Sequence, residues 1–241
     1  MKKFFLPLVI SLCLLAGSSV AQKGFYLGAG GTMMSTWMTN VNNYGLPDMD
    51  YVSTFGGGFN LNVGYDFTKN IGLKLEIGYS KLGQKLKDNR NDTTYTRNIK
   101  MNYLMIPILF KFRTTGQIAR FYFLVGPQLG YLISAKQSYY KQDQDYNEYT
   151  YNPNTNKPIK VSESTITSRF NSIDVFARID FGADISLMPN LILNAGFSFA
   201  YGLLDVNASD YHIKNADGNY NASHNAYGGF NVGLVYCFTK K

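Results

Sequence analysis

Apolar and polar residues alternate strictly along several stretches of the chain. In the clearest of them, residues 55–66, every apolar side chain falls on one parity, and glycine, asparagine and aspartate occupy the other. The apolar residues of this stretch are Phe55, Phe59, Leu61, Val63 and Tyr65. Successive side chains of a β-strand point to opposite faces, so the pattern predicts a strand with one apolar and one polar face. A helix cannot separate the two classes in this way.

The same alternation predicts eight strands along the chain. Their expected bounds are 24–33, 54–67, 71–81, 96–112, 120–134, 170–187, 191–204 and 226–238. An even number of antiparallel strands is the rule for single-chain outer-membrane barrels.

The gaps between these strands alternate long with short. The short ones are rich in turn formers and lie at 68–70, 113–119 and 188–190. The long ones are polar and lie at 34–53, 82–95, 135–169 and 205–225. Barrels of this class have short periplasmic turns and longer outer loops. The sequence therefore predicts an all-β fold, an eight-stranded antiparallel transmembrane β-barrel of up-and-down topology with both termini in the periplasm.

The first 21 residues have the three regions of a secretory signal peptide. Lys2 and Lys3 precede an apolar run at 4–16, and Ser19-Val20-Ala21 supplies the small residues of a cleavage site. The run is shorter than the roughly 20 apolar residues that a transmembrane helix requires. We expect cleavage after Ala21, which leaves one barrel domain, 22–241, exported to the cell outer membrane.

Composition fits this interpretation. The chain has 19 tyrosines and 17 phenylalanines, and aromatic girdles mark both membrane interfaces of such barrels. Removal of Lys2 and Lys3 lowers the formal net charge from +7 by two. The remaining basic residues are scattered, without the clustered face that nucleic-acid binding requires, so no nucleic-acid partner is predicted. Cys237 is the one cysteine of the predicted mature chain, which excludes an internal disulfide.

Charged residues avoid the apolar parity of the predicted strands. Eight of them fall on the opposite, lumen-facing parity: Asp66, Lys74, Glu76, Lys111, Asp174, Arg178, Asp180 and Asp184. The interior of an eight-stranded barrel is narrow enough for side chains to fill. These three cations and five anions therefore predict either a salt-bridged plug or a path for protons or ions.

Two consecutive strands carry a recognisable motif. Tyr103, Pro107 and Lys111 are spaced Tyr-x-x-x-Pro-x-x-x-Lys, and Gly126-Pro127 is followed by Gly130. This arrangement resembles the PorT-like outer-membrane β-barrel family of the Bacteroidota. The resemblance implies the barrel fold and the outer membrane, and the namesake of the family is linked to a protein-secretion and gliding system. The last strand, 230–238, likewise resembles a signal for the barrel-assembly machinery, a partner during biogenesis.

The prolines of this motif suggest a contact surface. Proline cannot donate to a β-ladder, and a closed barrel has no edge strand to accommodate it. Pro107 is expected near Gly126 and Pro127, if Phe112 and Phe121 are approximate partners. One interpretation is a bulge that bends the wall. The other is a flattened contact for another membrane protein, formed by Ile106, Pro107, Ile108, Val125 and Pro127.

The third long loop is a second candidate for binding. Its aromatic residues are interleaved with charges, and they are Tyr139, Tyr140, Tyr146, Tyr149 and Tyr151. Aromatic rings with nearby polar groups suit a glycan or a protein. Alternatively, the flanking strands continue beyond the membrane as a tyrosine-rich hairpin.

Catalytic chemistry has little support in the sequence. His212 and His224 are the only histidines, and Asp205, Asp210 and Ser223 lie close to them in the chain. A hydrolase could use such groups, but no nucleophile motif surrounds them. Their spacing defines no metal geometry either. No catalytic residue, metal site or cofactor is therefore predicted.

The predicted function is a structural or interaction role in the outer membrane, as a component of an envelope or secretion complex. The expected partners are outer-membrane lipid and an envelope protein. An alternative is a narrow pore or ligand-binding barrel that takes up small solutes, since a wide aqueous channel needs about 16 strands. An outer-membrane hydrolase is the third interpretation.

Overall fold

Ten strands form one sheet in the computed structural model, which describes residues 24–39, 49–88, 95–116, 118–141, 159–212, 214 and 218–238. The strands are β1 (Gly24–Thr39), β2 (Met49–Val52), β3 (Phe55–Asp66), β4 (Ile71–Asp88), β5 (Tyr95–Arg113), β6 (Ala119–Lys141), β7 (Ile159–Thr165), β8 (Ile173–Met188), β9 (Leu191–Gly202) and β10 (His224–Cys237). Two 3-10 helices, Thr167–Arg169 and Ser209–Tyr211, lie between strands. No helix among these residues is long and apolar enough to cross a membrane. The predicted signal peptide lies outside the described residues.

Eight of the strands close into a ring, in the order β1, β3, β4, β5, β6, β8, β9, β10 and back to β1. Every pair in the ring is antiparallel, and each strand follows its neighbour in the chain. The prediction of an eight-stranded antiparallel barrel is confirmed. Closure removes the sheet edges, so every strand of the ring has a ladder partner on both sides.

The two remaining strands lengthen the barrel at one end. β2 pairs with β4, and β7 pairs with β6, each continuing a ladder of the ring. We call this the loop end, and the opposite end, with its short connections at 67–70, 114–118 and 189–190, the turn end. β4 and β6 also run several residues beyond their predicted bounds. The alternation fades there because a wall outside a membrane accepts polar residues on its outer face.

The outer face of the ring carries a continuous apolar belt. Its exposed members include Leu61, Ile77, Phe110, Phe123, Ile179, Phe181, Phe197, Phe199, Val232 and Leu234. Soluble proteins rarely expose a contiguous apolar patch of this extent, which is instead the surface that contacts lipid.

The interior is divided along the barrel axis. Near the loop end it holds a cluster of apolar side chains that includes Met38, Leu86, Ile99, Met101 and Phe176. Toward the turn end it is filled mainly by buried charged and amide side chains. The apolar cluster and the polar region together occupy the lumen.

Candidate functional site

The middle of the lumen is organised around Arg178 of β8. Its Nε and Nη2 donate to the two oxygens of Asp180 over 2.8 and 2.7 Å, which is a bidentate pair. Its Nη1 donates to Glu76 of β4 over 3.0 Å, and Lys74 lies 2.7 Å from the other oxygen of Glu76. We call Lys74, Glu76, Arg178 and Asp180 the central cluster. Two cations and two anions balance within it.

Neutral side chains complete this level of the lumen. Gln128 accepts from Arg178 over 3.2 Å and from the Tyr227 hydroxyl over 2.8 Å. Asn231 donates to Ser198 over 2.8 Å, and Ser198 lies 3.5 Å from Arg178. The buried polar groups are therefore linked into one network, as buried polar groups must be if they are not to be costly.

A second cluster lies toward the turn end. Arg113 of β5 is 3.0 Å from Asp66 and 3.6 Å from Asp184, and Lys111 is 3.8 and 3.2 Å from the same two carboxylates. Lys111 also lies over the ring of Tyr26, 4.8 Å from its centre. We call Asp66, Lys111, Arg113 and Asp184 the turn-end cluster.

Asp174 stands apart from both clusters. It lies near the loop end, where it accepts a hydrogen bond from Asn225 over 3.1 Å. The same amide nitrogen donates to the hydroxyl of Tyr103, also over 3.1 Å. Seven of the eight predicted lumen charges belong to the two clusters, and Asp174 is held by this amide instead.

Several lumen residues were missed by the sequence analysis. Arg113 fell within a predicted turn, but the β5–β6 ladder continues through Thr114, whose backbone N–H donates to the carbonyl of Phe121. Arg120 was the first residue of a predicted strand and was not counted among the lumen charges. Both arginines lie on buried, inward-facing positions. Gln128 was missed because an uncharged amide gives no signal in a search for charges. One more residue of the predicted fourth strand would have indicated Arg113, and the parity of the predicted strand 120–134 already indicated Arg120.

These bonds join strands that are not neighbours in the sheet. β5 and β10 are separated by three strands in either direction around the ring, and the Tyr103–Asn225 bond connects them. The Arg178–Glu76 pair joins β8 to β4, and the bond from Tyr122 to Asn231 joins β6 to β10 over 3.4 Å. Side chains thus bridge the lumen at three levels, which is the arrangement of a plug.

The structure corrects the predicted surface on the β5–β6 hairpin. Phe112 pairs with Phe123 rather than Phe121, and Pro107 lies opposite Gln128. Pro107 has the parity of Lys111, so it is buried and lines the lumen. Pro107 therefore does not belong to the predicted outward-facing contact surface.

The other four residues of that surface keep the outward parity. Ile108 and Val125 are exposed, Pro127 is exposed, and Ile106 is half-buried. The ladder has no paired residues between Pro107–Gln128 and Phe110–Val125, so the missing donors interrupt the hydrogen bonding there. Ile106, Ile108, Val125 and Pro127 remain a candidate contact surface on the belt.

The tyrosine-rich loop is described only in part. Tyr139 and Tyr140 are half-buried in β6, where they pair with β5 and β7. Tyr146, Tyr149 and Tyr151 lie outside the described residues. The two described tyrosines thus belong to the extension of the barrel wall.

The fourth loop, 203–223, contains His212, one of the two histidines for which the sequence analysis predicted no catalytic role. His212 Nε2 lies 3.1 Å from Asp205, and its ring stacks on Tyr220 with 3.9 Å between centres. Tyr220 donates to Asp205 over 2.7 Å, and the backbone N–H of Ser223 donates to the other oxygen over 3.0 Å. Ser223 is buried, and its hydroxyl accepts a hydrogen bond from the side-chain amide of Asn207 over 3.0 Å. These contacts of Asp205 hold separate parts of the fourth loop together.

Asp210 and His224 do not join His212 in a metal-binding set. His224 contacts the carbonyl of Leu204 and stacks on Tyr201. In the part of the chain that the structure describes, no group of three or more histidine, cysteine, aspartate or glutamate side chains could hold a metal ion.

A family model described as "Outer membrane protein beta-barrel domain" matches residues 18–208. A search of curated proteins finds no match.

Several solved structures are similar to this chain at low sequence identity. OprG from Pseudomonas aeruginosa is 11% identical, with 93% of this chain and 100% of that chain covered and a TM-score of 0.47. Neisserial surface protein A is 14% identical, with 89% of this chain and 97% of that chain covered and a TM-score of 0.43. Ail of Yersinia pestis, solved with the heparin analogue sucrose octasulfate, is 11% identical, with 89% of this chain and 99% of that chain covered and a TM-score of 0.39.

Proposed function

Because this chain belongs to the outer membrane protein β-barrel domain family, we propose that it is a closed barrel with a structural or interaction role in the cell envelope. Its surfaces, rather than its lumen, carry that role. Export through cleavage of residues 1–21 and assembly by the barrel-assembly machinery belong to the same proposal.

The observation that carries the proposal is the bridged lumen. The central cluster, the turn-end cluster and the Tyr103–Asn225 bond cross it at successive levels, and the apolar cluster fills the loop end. Breaking a buried ion pair so that one charge is left uncompensated costs about 3–5 kcal/mol. Opening a passage would break several such contacts at once, so we expect the barrel to stay closed.

Conductance distinguishes this role from that of a narrow pore. We expect the full-length mature protein, inserted into a planar lipid bilayer, to give no discrete current steps in a salt solution. A 16-stranded porin inserted in the same bilayer is the positive control, since its lumen is an open aqueous channel. Reproducible current steps of uniform size, whose number rises with the amount of inserted protein, would contradict the proposal and favour solute uptake.

The motif at Tyr103, Pro107 and Lys111, with Gly126-Pro127, supports a narrower proposal. We propose that the chain is PorT-like and belongs to an envelope or secretion complex of the Bacteroidota. The outward-facing residues Ile106, Ile108, Val125 and Pro127 are the proposed contact with a membrane partner. A partner or glycan at the third loop, near Tyr139 and Tyr140, is the second candidate contact.

A further inference from the structure

Positive charge exceeds negative charge near the turn end of the lumen. The turn-end cluster contains two cations, Lys111 and Arg113, and two carboxylates, Asp66 and Asp184. Arg120, the second residue of β6, adds a third cation to this region and is 2% exposed. The turn end therefore buries one positive charge more than its carboxylates neutralise.

Arg120 takes no part in the ion pairs of the cluster. It lies directly opposite Asp184 in the β6–β8 ladder. The Asp184 carboxylate is instead ion-paired with Lys111 and Arg113 through Oδ2, which accepts no hydrogen bond within the part of the chain that the structure describes, and its Oδ1 accepts from Asn194 over 2.8 Å. The Nε of Arg120 is buried and has no hydrogen-bond partner among the described residues.

A buried arginine in this position requires a counter-charge. Its guanidinium cannot lose a proton in a protein, so it cannot become neutral. An unpaired buried charge is costly, by several kcal/mol even after relaxation. Asp174, another lumen charge outside the clusters, differs in two ways. It accepts the hydrogen bond from Asn225, and a carboxylate can take up a proton.

We propose that the turn end of the lumen binds a small oxyanion of the phosphate type through Arg120. The planar guanidinium presents parallel N–H donors that match two oxygens of such an anion. Arg120 faces the lumen beside the 114–118 connection. The anion therefore enters from the aqueous space at the turn end, and not from the lipid-facing belt.

Inorganic phosphate is the probe for this site. The full-length mature protein, folded in an uncharged detergent, is unfolded in urea at pH 7 while the fluorescence of its single tryptophan, Trp37, is followed. Phosphate is compared with chloride at equal ionic strength. A ligand that binds only the folded state stabilises it by RT ln(1 + [L]/Kd). We expect the unfolding midpoint to rise with the logarithm of the phosphate concentration once that concentration exceeds Kd.

Two substitutions that each remove one positive charge identify the site. In Arg120→Gln, the apparent affinity for phosphate is expected to fall at least tenfold. Arg169→Gln removes an exposed cation of the loop end and is expected to leave the affinity unchanged. Arg120→Lys keeps the charge without the planar fork and is expected to give an intermediate loss. Calorimetric titration of the wild-type protein with phosphate should give one site per chain, a result that does not depend on any variant folding.

Three outcomes would overturn the proposal. They are a midpoint that does not respond to phosphate, an equal response in wild type and Arg120→Gln, and calorimetry without saturable binding. Vesicles distinguish the source of the anion. In phosphatidylcholine, free phosphate should stabilise the barrel, whereas a stabilisation by phosphatidylglycerol alone that Arg120→Gln abolishes would assign the site to a lipid headgroup.

Discussion

At the scale of single residues, the lumen depends on how each charge is compensated. Asp180 illustrates this point, because both of its oxygens accept from Arg178. Glu76 is paired twice, with Arg178 and with Lys74. Loss of Arg178 would therefore leave Asp180 with a buried negative charge and no cation from the central cluster, whereas Glu76 would keep Lys74.

We predict that Arg178→Met destabilises the barrel by about 3–5 kcal/mol, the cost of an uncompensated buried charge. The double variant Arg178→Met with Asp180→Asn should recover part of that loss, because it removes the stranded charge. Urea unfolding in lipid vesicles measures both, and the exposed Arg169→Gln, expected within ±0.5 kcal/mol of wild type, is the control. A single variant as stable as the control would show that the pair contributes little.

At the scale of elements, the β5–β6 hairpin shows what alternation predicts and what it does not. Parity correctly assigns Ile108 and Val125 to the outer face and Lys111 to the lumen. The pairing of the two strands differs from the expectation, since Phe112 lies opposite Phe123. The ladder extends through Thr114, which moves the turn along the chain. Parity is a property of one strand, whereas register depends on how the connection between two strands folds.

Gly126 tests the close packing of this hairpin. A Cβ at Gly126 would lie 2.0 Å from the backbone carbonyl oxygen of Ile108, too close for the ladder to remain in place. At Gly31 the nearest atom would be 3.5 Å away, an ordinary contact. We predict that Gly126→Ala costs about 1–3 kcal/mol, in the range of overpacked cores, and that Gly31→Ala is close to neutral. The urea midpoints of the two variants provide the comparison, and equal stability would contradict it.

At the scale of the whole molecule, a closed ring separates two environments. Apart from the interruption at Pro107 and Pro127, ladder hydrogen bonds satisfy the backbone around the ring, as a sheet that crosses a lipid bilayer requires. The belt faces outward, and the bridged lumen faces inward. A barrel with a filled lumen offers two kinds of surface to other molecules, its belt and its ends. This is why we assign interaction to the surfaces.

We predict that Ile108→Trp and Val125→Trp release an envelope protein partner without preventing barrel assembly, because an indole would obstruct the flattened contact. The measurement is crosslinking in intact cells, followed by affinity purification in mild detergent and determination of partner stoichiometry. Val232→Trp is the matched control, since Val232 is 44% exposed and Val125 is 36% exposed, and β10 is far from this hairpin in the ring. An unchanged complex in all three variants would argue against this surface.

The sequence by itself determined the number of strands in the ring and the face on which most side chains lie. Both follow from local alternation, because neighbouring side chains of a strand point in opposite directions whatever the rest of the chain does. Only the tertiary structure decided which charges meet. Arg178 and Glu76 are 102 residues apart, and their contact depends on the stagger of the four ring strands β4, β5, β6 and β8 around a narrow lumen. The same closure buries Arg120 opposite Asp184 in the β6–β8 ladder, while the Asp184 carboxylate pairs with Lys111 and Arg113 of β5. Pairing across a lumen is set by ring closure, which no single strand encodes.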